Sequence, residues 1–277
     1  MSRPLLVIDG DSLGPPHRLR QRVVCTVGEG KPSNALVGFS NFLMRLWQAE
    51  TPRAVIVGWD TLFVPTYRHE LFAGYQGGRK FDDELLEQLD LLPELVRSFG
   101  FVAAKGEGYE ADDFLAAAVD QEEREGGAAL VVTSDRDSFQ LASELTTILQ
   151  PTRGVSELAR IGPAEVRERY GVEPGQVPDF IALRGDPSDK LPGARGVGPK
   201  TAASLLAQYG TLEAMLEDGR FQAQAEELRI YRRMATLDAS APLPPLVDQT
   251  PNWAEASSFV RQLGMNAQAD RIAAQAA

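Results

Sequence analysis

Four short apolar runs separated by helix-like stretches constrain this chain more than any other feature. Leu5–Ile8, Ala54–Val57, Phe101–Ala104 and Leu130–Val132 read as buried strands. Between them, Leu36, Phe39, Phe42, Leu43 and Leu46 recur at helix spacing. So do Leu85, Leu89, Leu92, Leu95 and Val96, and then Phe114, Leu115, Ala118 and Val119. Strands alternating with helices of this length predict an α/β fold with a mainly parallel central sheet and helices on both faces. After about residue 160 only helical patterns remain: Pro163–Tyr170, Val177–Leu183, Pro199–Tyr209 and Phe221–Met234, with a Pro-rich loop at Ala241–Pro251. The expected division is an α/β core over 1–160 and a helical part over 161–277.

No apolar run approaches the roughly 20 residues of a membrane span, so no membrane association is expected. Met1 to Asp9 lacks the basic-then-apolar pattern of a secretory signal. Cys25 is the only cysteine, which rules out a disulfide within the chain and fits a reducing cytoplasm. The formal net charge of −11 argues on its face against nucleic acid. Nine of the acids, however, sit in short motifs that read as metal ligands. With those neutralised by cations, the rest of the chain is near balance, which predicts localised, salt-sensitive binding to DNA.

In such sheets the working site lies at the carboxyl ends of the strands. Three runs end in an aspartate there: Asp9, Asp60 and Asp135. The remaining run is followed closely by Glu110, Asp112 and Asp113. Helix capping would explain any one of these. It does not explain all of them at one sheet edge, because uncompensated carboxylates at close range repel. Asp137 adds a carboxylate two residues after Asp135, and a tight loop adds Asp186 and Asp189. With only His17, His69 and Cys25 as softer ligands, an all-oxygen set selects Mg²⁺ or Mn²⁺ over Zn²⁺. Two such ions about 4 Å apart are the common device for phosphodiester hydrolysis.

A basic and aromatic segment follows the second strand and includes Tyr67, Arg68, His69, Tyr75, Arg79 and Lys80. It reads as either an inert amphipathic helix or a DNA-facing element, with cations for phosphates and rings for bases. Leu191 to Ala202 places Arg195, Gly196, Gly198, Lys200 and Thr201 in a glycine-rich turn before an Ala/Leu helix. Backbone amides at such a helix start can approach a phosphate, and the pattern resembles a helix-hairpin-helix motif at 185–202 that grips duplex backbone.

Read in order, these motifs resemble the 5′ nuclease domain of bacterial DNA polymerase I and the flap endonucleases. The resemblance rests on Asp9, on Asp60 with Arg68-His69-Glu70, on Gly108 to Asp113, on Asp135, Asp137, Gln140 and Leu141, and on Gly185 to Ala202. It implies a PIN-like fold and metal-dependent cleavage of DNA with 5′ flaps or free 5′ ends, in replication and repair. RNA:DNA hybrid is a further implied substrate. Asp9, Asp60, Glu110 and Asp112 would surround a first metal, with Asp113 close by. Asp135, Asp137, Asp186 and Asp189 would surround a second, and a K⁺ ion would sit in the hairpin. An arch over 65–82 would present Arg68, Tyr75, Gln76, Arg79 and Lys80 to DNA, with Arg79 assisting catalysis. The family pattern has lysine where this chain has Gln76, and asparagine where it has Lys190. A monomer acting alone or beside a separate polymerase is expected. The sequence leaves two rival readings open. One is a branched-DNA-binding paralogue with little or no turnover. The other is a haloacid-dehalogenase-type phosphatase, suggested by Asp9-Gly10-Asp11-Ser12.

Overall fold

The computed structural model describes residues 3–13, 26–27, 31–61, 64–72, 74–75, 83–152 and 157–276. Gln76, Arg79, Lys80 and most of the expected arch lie outside the described residues.

The first strand, β1 (Leu5–Asp9), is buried along its whole length. Successive side chains of a strand point to opposite faces. Leu5 and Val7 accordingly enter one hydrophobic core, and Leu6 and Ile8 enter another. A strand covered on both faces favours a continuous apolar run over strict alternation. The same holds for β2 (Ala54–Gly58) and β4 (Ala129–Val132). Together with β3 (Val102–Ala104), β5 (Thr146–Pro151) and β6 (Leu158–Ile161), they form a six-stranded sheet ordered β3-β2-β1-β4-β5-β6. All pairs are parallel except β5 with β6. The sequence reading did not anticipate β5 and β6. Of the two, only β6 is an edge strand; β5 lies between β4 and β6 and sends Ile148 and Leu149 into opposite cores, but the Thr, Gln and Arg that they carry between them break the continuous apolar run.

Helix α1 (Asn34–Glu50) and helix α3 (Asp83–Ser98) cover one face. The short helix α2 (Tyr67–Leu71) stands at the carboxyl edge of the sheet. The opposite face receives α4 (Ala111–Arg124), α6 (Val177–Arg184), α7 (Pro199–Tyr209), α8 (Leu212–Glu217) and α9 (Ala225–Ala235). Helix α5 (Pro163–Tyr170) contributes Val166 to the same core.

The helices of 161–277 cover both faces of the sheet. Residues 239–252 cross the amino-terminal edge in extended form. They are held by Gln249 N donating to Arg53 O at 2.8 Å and by Asn252 N donating to Phe99 O at 2.9 Å. Helices α10 (Trp253–Gln262) and α11 (Asn266–Ala273) then pack against the α1/α3 face through Val260, Ala269 and Ile272.

The strand order reverses beside β1, with β2 to one side and β4 to the other. That reversal opens a crevice at the carboxyl ends of the strands. The register Leu5↔Ala54 through Asp9↔Gly58, and Ile8↔Val132, delivers Asp9, Asp60 and Thr133 to its mouth.

Candidate metal centre

Asp9 leaves β1 as a buried carboxylate. Its Oδ1 accepts from Ser12 N at 2.9 Å and its Oδ2 from Thr133 Oγ1 at 2.7 Å. Asp60 follows β2, and its Oδ1 accepts from Ala111 N at 2.8 Å, the first residue of α4. The helix can start that close because residue 58 is glycine: a Cβ there would lie 2.6 Å from Ala111 O. Glu110 caps α4 and engages both its carboxylate oxygens, one with Thr66 Oγ1 at 2.7 Å and one with Tyr75 OH at 2.7 Å.

Asp113 corrects the sequence reading. Expected close to the first metal, it is fully buried and its oxygens are occupied by protein donors. Arg68 grips it at 2.9 and 3.0 Å, Glu110 N donates at 3.0 Å, and Asp238 N donates at 2.8 Å. A carboxylate so engaged serves as an anchor rather than a free ligand. Its neighbour Asp112 differs: Asp112 Oδ1 is buried and accepts no hydrogen bond, and Arg68 Nη2 stands 3.4 Å away.

Arg68 is likewise not the surface cation it was expected to be. It is 2% exposed, ion-paired with Asp113, Asp112 and Glu110, and bonded to Met234 O at 3.1 Å. A guanidinium taken out of water requires such partners. Tyr75 is also turned inward. Its ring packs edge-on against His69 at 5.1 Å, and its hydroxyl serves Glu110 rather than a base.

On the far side of the crevice, Asp137 N donates to Asp135 Oδ1 at 3.0 Å, and Asp135 N donates to the same Thr133 hydroxyl that serves Asp9. Asp186 and Asp189 come from a loop closed by reciprocal backbone bonds between Asp186 and Leu191 at 2.9 and 2.7 Å. Lys190, in the place of the family's asparagine, holds a left-handed backbone at φ 59°. Asparagine tolerates that conformation better than lysine does.

The carboxylates sense one another across the crevice. Burial pushes Asp9 up to about 6 against the hydrogen bonds from Ser12 and Thr133, and repulsion from Asp135 and Asp60 adds to the rise. Burial raises Asp189 to about 6 as well, with repulsion from Asp135, Asp186 and Glu110. Asp137 is pushed well above its usual range by burial and then by Asp135, Asp186 and Asp189. The expected two groups of acids therefore share a single field.

Among the described residues, however, no three His, Cys, Asp or Glu side chains converge closely enough to form a ready-made ion cage. The expected sets, Asp9, Asp60, Glu110 and Asp112 round one metal and Asp135, Asp137, Asp186 and Asp189 round another, line the same crevice without closing such a cage. The site still fits hard cations in its chemistry, because the donors are all oxygen and the buried Asp112 Oδ1 lacks a hydrogen-bond donor.

Asp11 escaped assignment to this site. Its Oδ2 accepts from Asp60 N at 2.6 Å. Burial, then repulsion from Asp60 and Asp9, raises it well above the usual carboxylate range. The signal was an acid two residues after Asp9, read instead as part of a phosphatase-like motif. Thr66, Thr133 and Asp238 were missed for a different reason: nothing local marks them.

The glycine-rich turn lies exposed at the start of α7. Arg195, Gly196, Gly198, Lys200 and Thr201 are all on the surface, and Gly198 caps the helix. A Cβ at Gly196 or Gly198 would meet nothing, so the backbone there is open to approach. Gly185 and Gly193 are structural instead: a Cβ at Gly193 would lie 2.4 Å from Gly185 N.

The 5′-3′ exonuclease N-terminal resolvase-like domain matches residues 4–171, and the 5′-3′ exonuclease C-terminal SAM fold matches 172–255. The chain belongs to the 5′-3′ exonuclease family. DNA polymerase I of Mycobacterium leprae (strain TN) is 40% identical over 222 residues, covering 77% of this chain and 24% of that protein. DNA polymerase I of Bacillus caldotenax is 37% identical over 241 residues, covering 86% and 27%. The chain thus spans about a quarter of the length of these curated relatives. T5 5′-exonuclease, solved with divalent zinc ions, superposes with a TM-score of 0.71 at 20% identity over 98% of each chain. The catalytic core of Rad2 in complex with DNA substrate gives 0.60 at 16% identity over 98% of this chain and 91% of that one. These likenesses confirm the expected fold: a PIN-like sheet with a helical SAM-like part. The family match also removes the phosphatase reading of Asp9-Gly10-Asp11-Ser12.

Proposed function

We propose that this 5′-3′ exonuclease family chain hydrolyses DNA phosphodiesters at free 5′ ends and 5′ flaps, with divalent metal, in replication and repair. The observation that carries the reading is Asp112 Oδ1, a buried carboxylate oxygen with no hydrogen-bond donor, set among eight further acids at a strand-order reversal. Asp9, Asp60, Glu110 and Asp112 would hold one cation, and Asp135, Asp137, Asp186 and Asp189 another. Once bound, Mg²⁺ or Mn²⁺ would supply the positive charge that a phosphodiester needs as water attacks it.

The chain's own residues do the rest. Thr133 orients Asp9 and Asp135 through one hydroxyl, and the amide of Ala111 orients Asp60. Arg68 and Asp113 hold the start of α4, so that Glu110 and Asp112 face the crevice. The open backbone at Gly196 and Gly198, with Lys200 beside it, would grip duplex phosphates, and a K⁺ ion at this hairpin belongs to the same reading. Arg79, Gln76 and Lys80 would meet the strand that is cut. RNA:DNA hybrid as a second substrate, a monomeric state, a separate polymerase partner and a cytoplasmic setting complete the proposal.

The test is purified chain with Mg²⁺ or Mn²⁺ on 5′-labelled flap, nicked, single-stranded and hybrid substrates, with Asp135→Asn as control. Metal-dependent products from the wild type, lost in the variant while flap binding persists, are expected. Flap binding without turnover in the wild type would favour the binding paralogue. Absence of both would sink the proposal.

A further inference from the structure

The two strand ends that deliver Asp9 and Asp60 are joined by a contact that the nuclease reading does not use. Asp60 N–H donates to Asp11 Oδ2 at 2.6 Å, linking the turn after β1 to the turn after β2. The apposition is built into the chain. Asp11 lies in a single helical turn, Gly10–Leu13, that closes directly onto Trp59. A Cβ at Gly10 would fall 2.5 Å from the Trp59 ring, so only glycine lets that turn come close enough for Asp11 to reach the next amide. The segment around Asp60 is fixed from other sides as well. Trp59 N donates to Ala104 O at 2.9 Å, and Thr61 Oγ1 donates to Gly106 O at 3.1 Å. Asp60 then extends its carboxylate to the amide of Ala111 at the start of α4. Beyond the strand ladder that ends at Asp9↔Gly58, the bond to Asp11 ties the Asp60 amide itself to the turn after β1, and so to Asp9.

We infer that Asp11 is a positioning residue: by accepting the Asp60 amide it sets the separation of the Asp9 and Asp60 carboxylates, and so the metal affinity of this side of the site. The inference rests on the reading of the site as a metal-dependent nuclease. What it assigns to Asp11 is the hydrogen bond, not direct coordination. Asparagine, which keeps an acceptor oxygen and loses the charge, should therefore substitute for it.

Two measurements on wild type, Asp11→Asn and Asp11→Ala decide the point. In the metal-free protein, exchange of the Asp60 amide proton should be slow in wild type and Asp11→Asn, and at least tenfold faster in Asp11→Ala. In calorimetric Mn²⁺ titrations without DNA, Asp11→Ala should bind about tenfold more weakly, the low end for loss of a residue that orients a ligand. Asp11→Asn should stay within about threefold of wild type. Wild-type protection and affinity in Asp11→Ala would overturn the inference. Equal loss of affinity in both variants would also overturn it, by showing that the charge and not the hydrogen bond matters. Should Asp11→Ala fail to fold, Asp11→Asn decides alone: retained protection and affinity support the inference, and loss of either refutes it. The exchange measurement reports on Asp11 whether or not the chain cuts DNA. Absence of Mn²⁺ binding to the wild type would instead bring down the nuclease reading, and the metal half of the inference with it.

Discussion

Lowering the pH from about 7 to about 5 should weaken divalent-metal binding far more than an ordinary pair of aspartates would allow. Asp9 and Asp189 each titrate at about 6 in the metal-free fold, against the usual 3.8. A metal needs the carboxylate form, so each group multiplies the apparent Kd by 1 + 10^(pKa − pH). That factor is about 1.1 near pH 7 and about 11 near pH 5, so each cation site, which holds one of the two groups, binds roughly tenfold more weakly. A carboxyl at the usual value would change Kd by no more than about 1.1-fold over the same range. The same shifts carry a sign for stability. Between about pH 4 and 6 the metal-free fold keeps two protons that the unfolded chain releases. Their contribution to stability is therefore greatest at the acid end of that window and declines as pH rises through it. Mn²⁺ titration calorimetry on the DNA-free protein near pH 7 and pH 5 is the assay, with circular dichroism showing that the fold survives at both. A change in Kd of less than threefold would refute the account of a crowded, desolvated acid field.

Three further outcomes follow from particular contacts. Asp113→Asn leaves the buried Arg68 guanidinium without its main partner and should cost about 3–5 kcal/mol, read as a lowered urea midpoint at unchanged m-value. Gly193→Ala drives a Cβ to 2.4 Å from Gly185 N at a backbone φ of 74°. It should weaken flap-DNA binding and lower the melting temperature together, whereas Gly198→Ala, with open space around it and an ordinary φ of −97°, should lower the melting temperature much less. Gln76→Lys adds a cation where the family pattern has one and should raise the single-turnover rate about tenfold, or ~1.4 kcal/mol of barrier, with little effect on flap affinity; an unchanged rate would place residue 76 away from the scissile phosphate.

The strands and helices that bear the site were legible because their signals are local. β1 and β2 announce themselves as apolar runs ending at Asp9 and just before Asp60. Helices α5 and α7 begin at Pro163 and Pro199 and stop at Gly171 and Gly210, both at positive φ, as the punctuation of proline at the start and glycine at the end predicts. The family motifs were legible for the same reason, since each lies within a short span.

What the sequence could not apportion was the role of each acid. Asp112 and Asp113 are adjacent and chemically identical, yet one has a buried oxygen that accepts no hydrogen bond and the other is wholly engaged by Arg68, Glu110 and Asp238. Arg68 and Asp113 are 45 positions apart, and Asp238 is 125 from Asp113. Arg68 and Tyr75 looked like DNA contacts because a cation and a ring near an acidic site suit either a phosphate and a base or a buried carboxylate. Nor did α10 and α11 show which face of the sheet they would cover, since either face offers an apolar surface. The sequence by itself determined the fold class, the strand-end acids and the glycine turn, through propensity and spacing between near neighbours. Only the tertiary structure decided which side chains leave water and which partners they meet there, because burial and pairing depend on groups that the chain brings together from far apart.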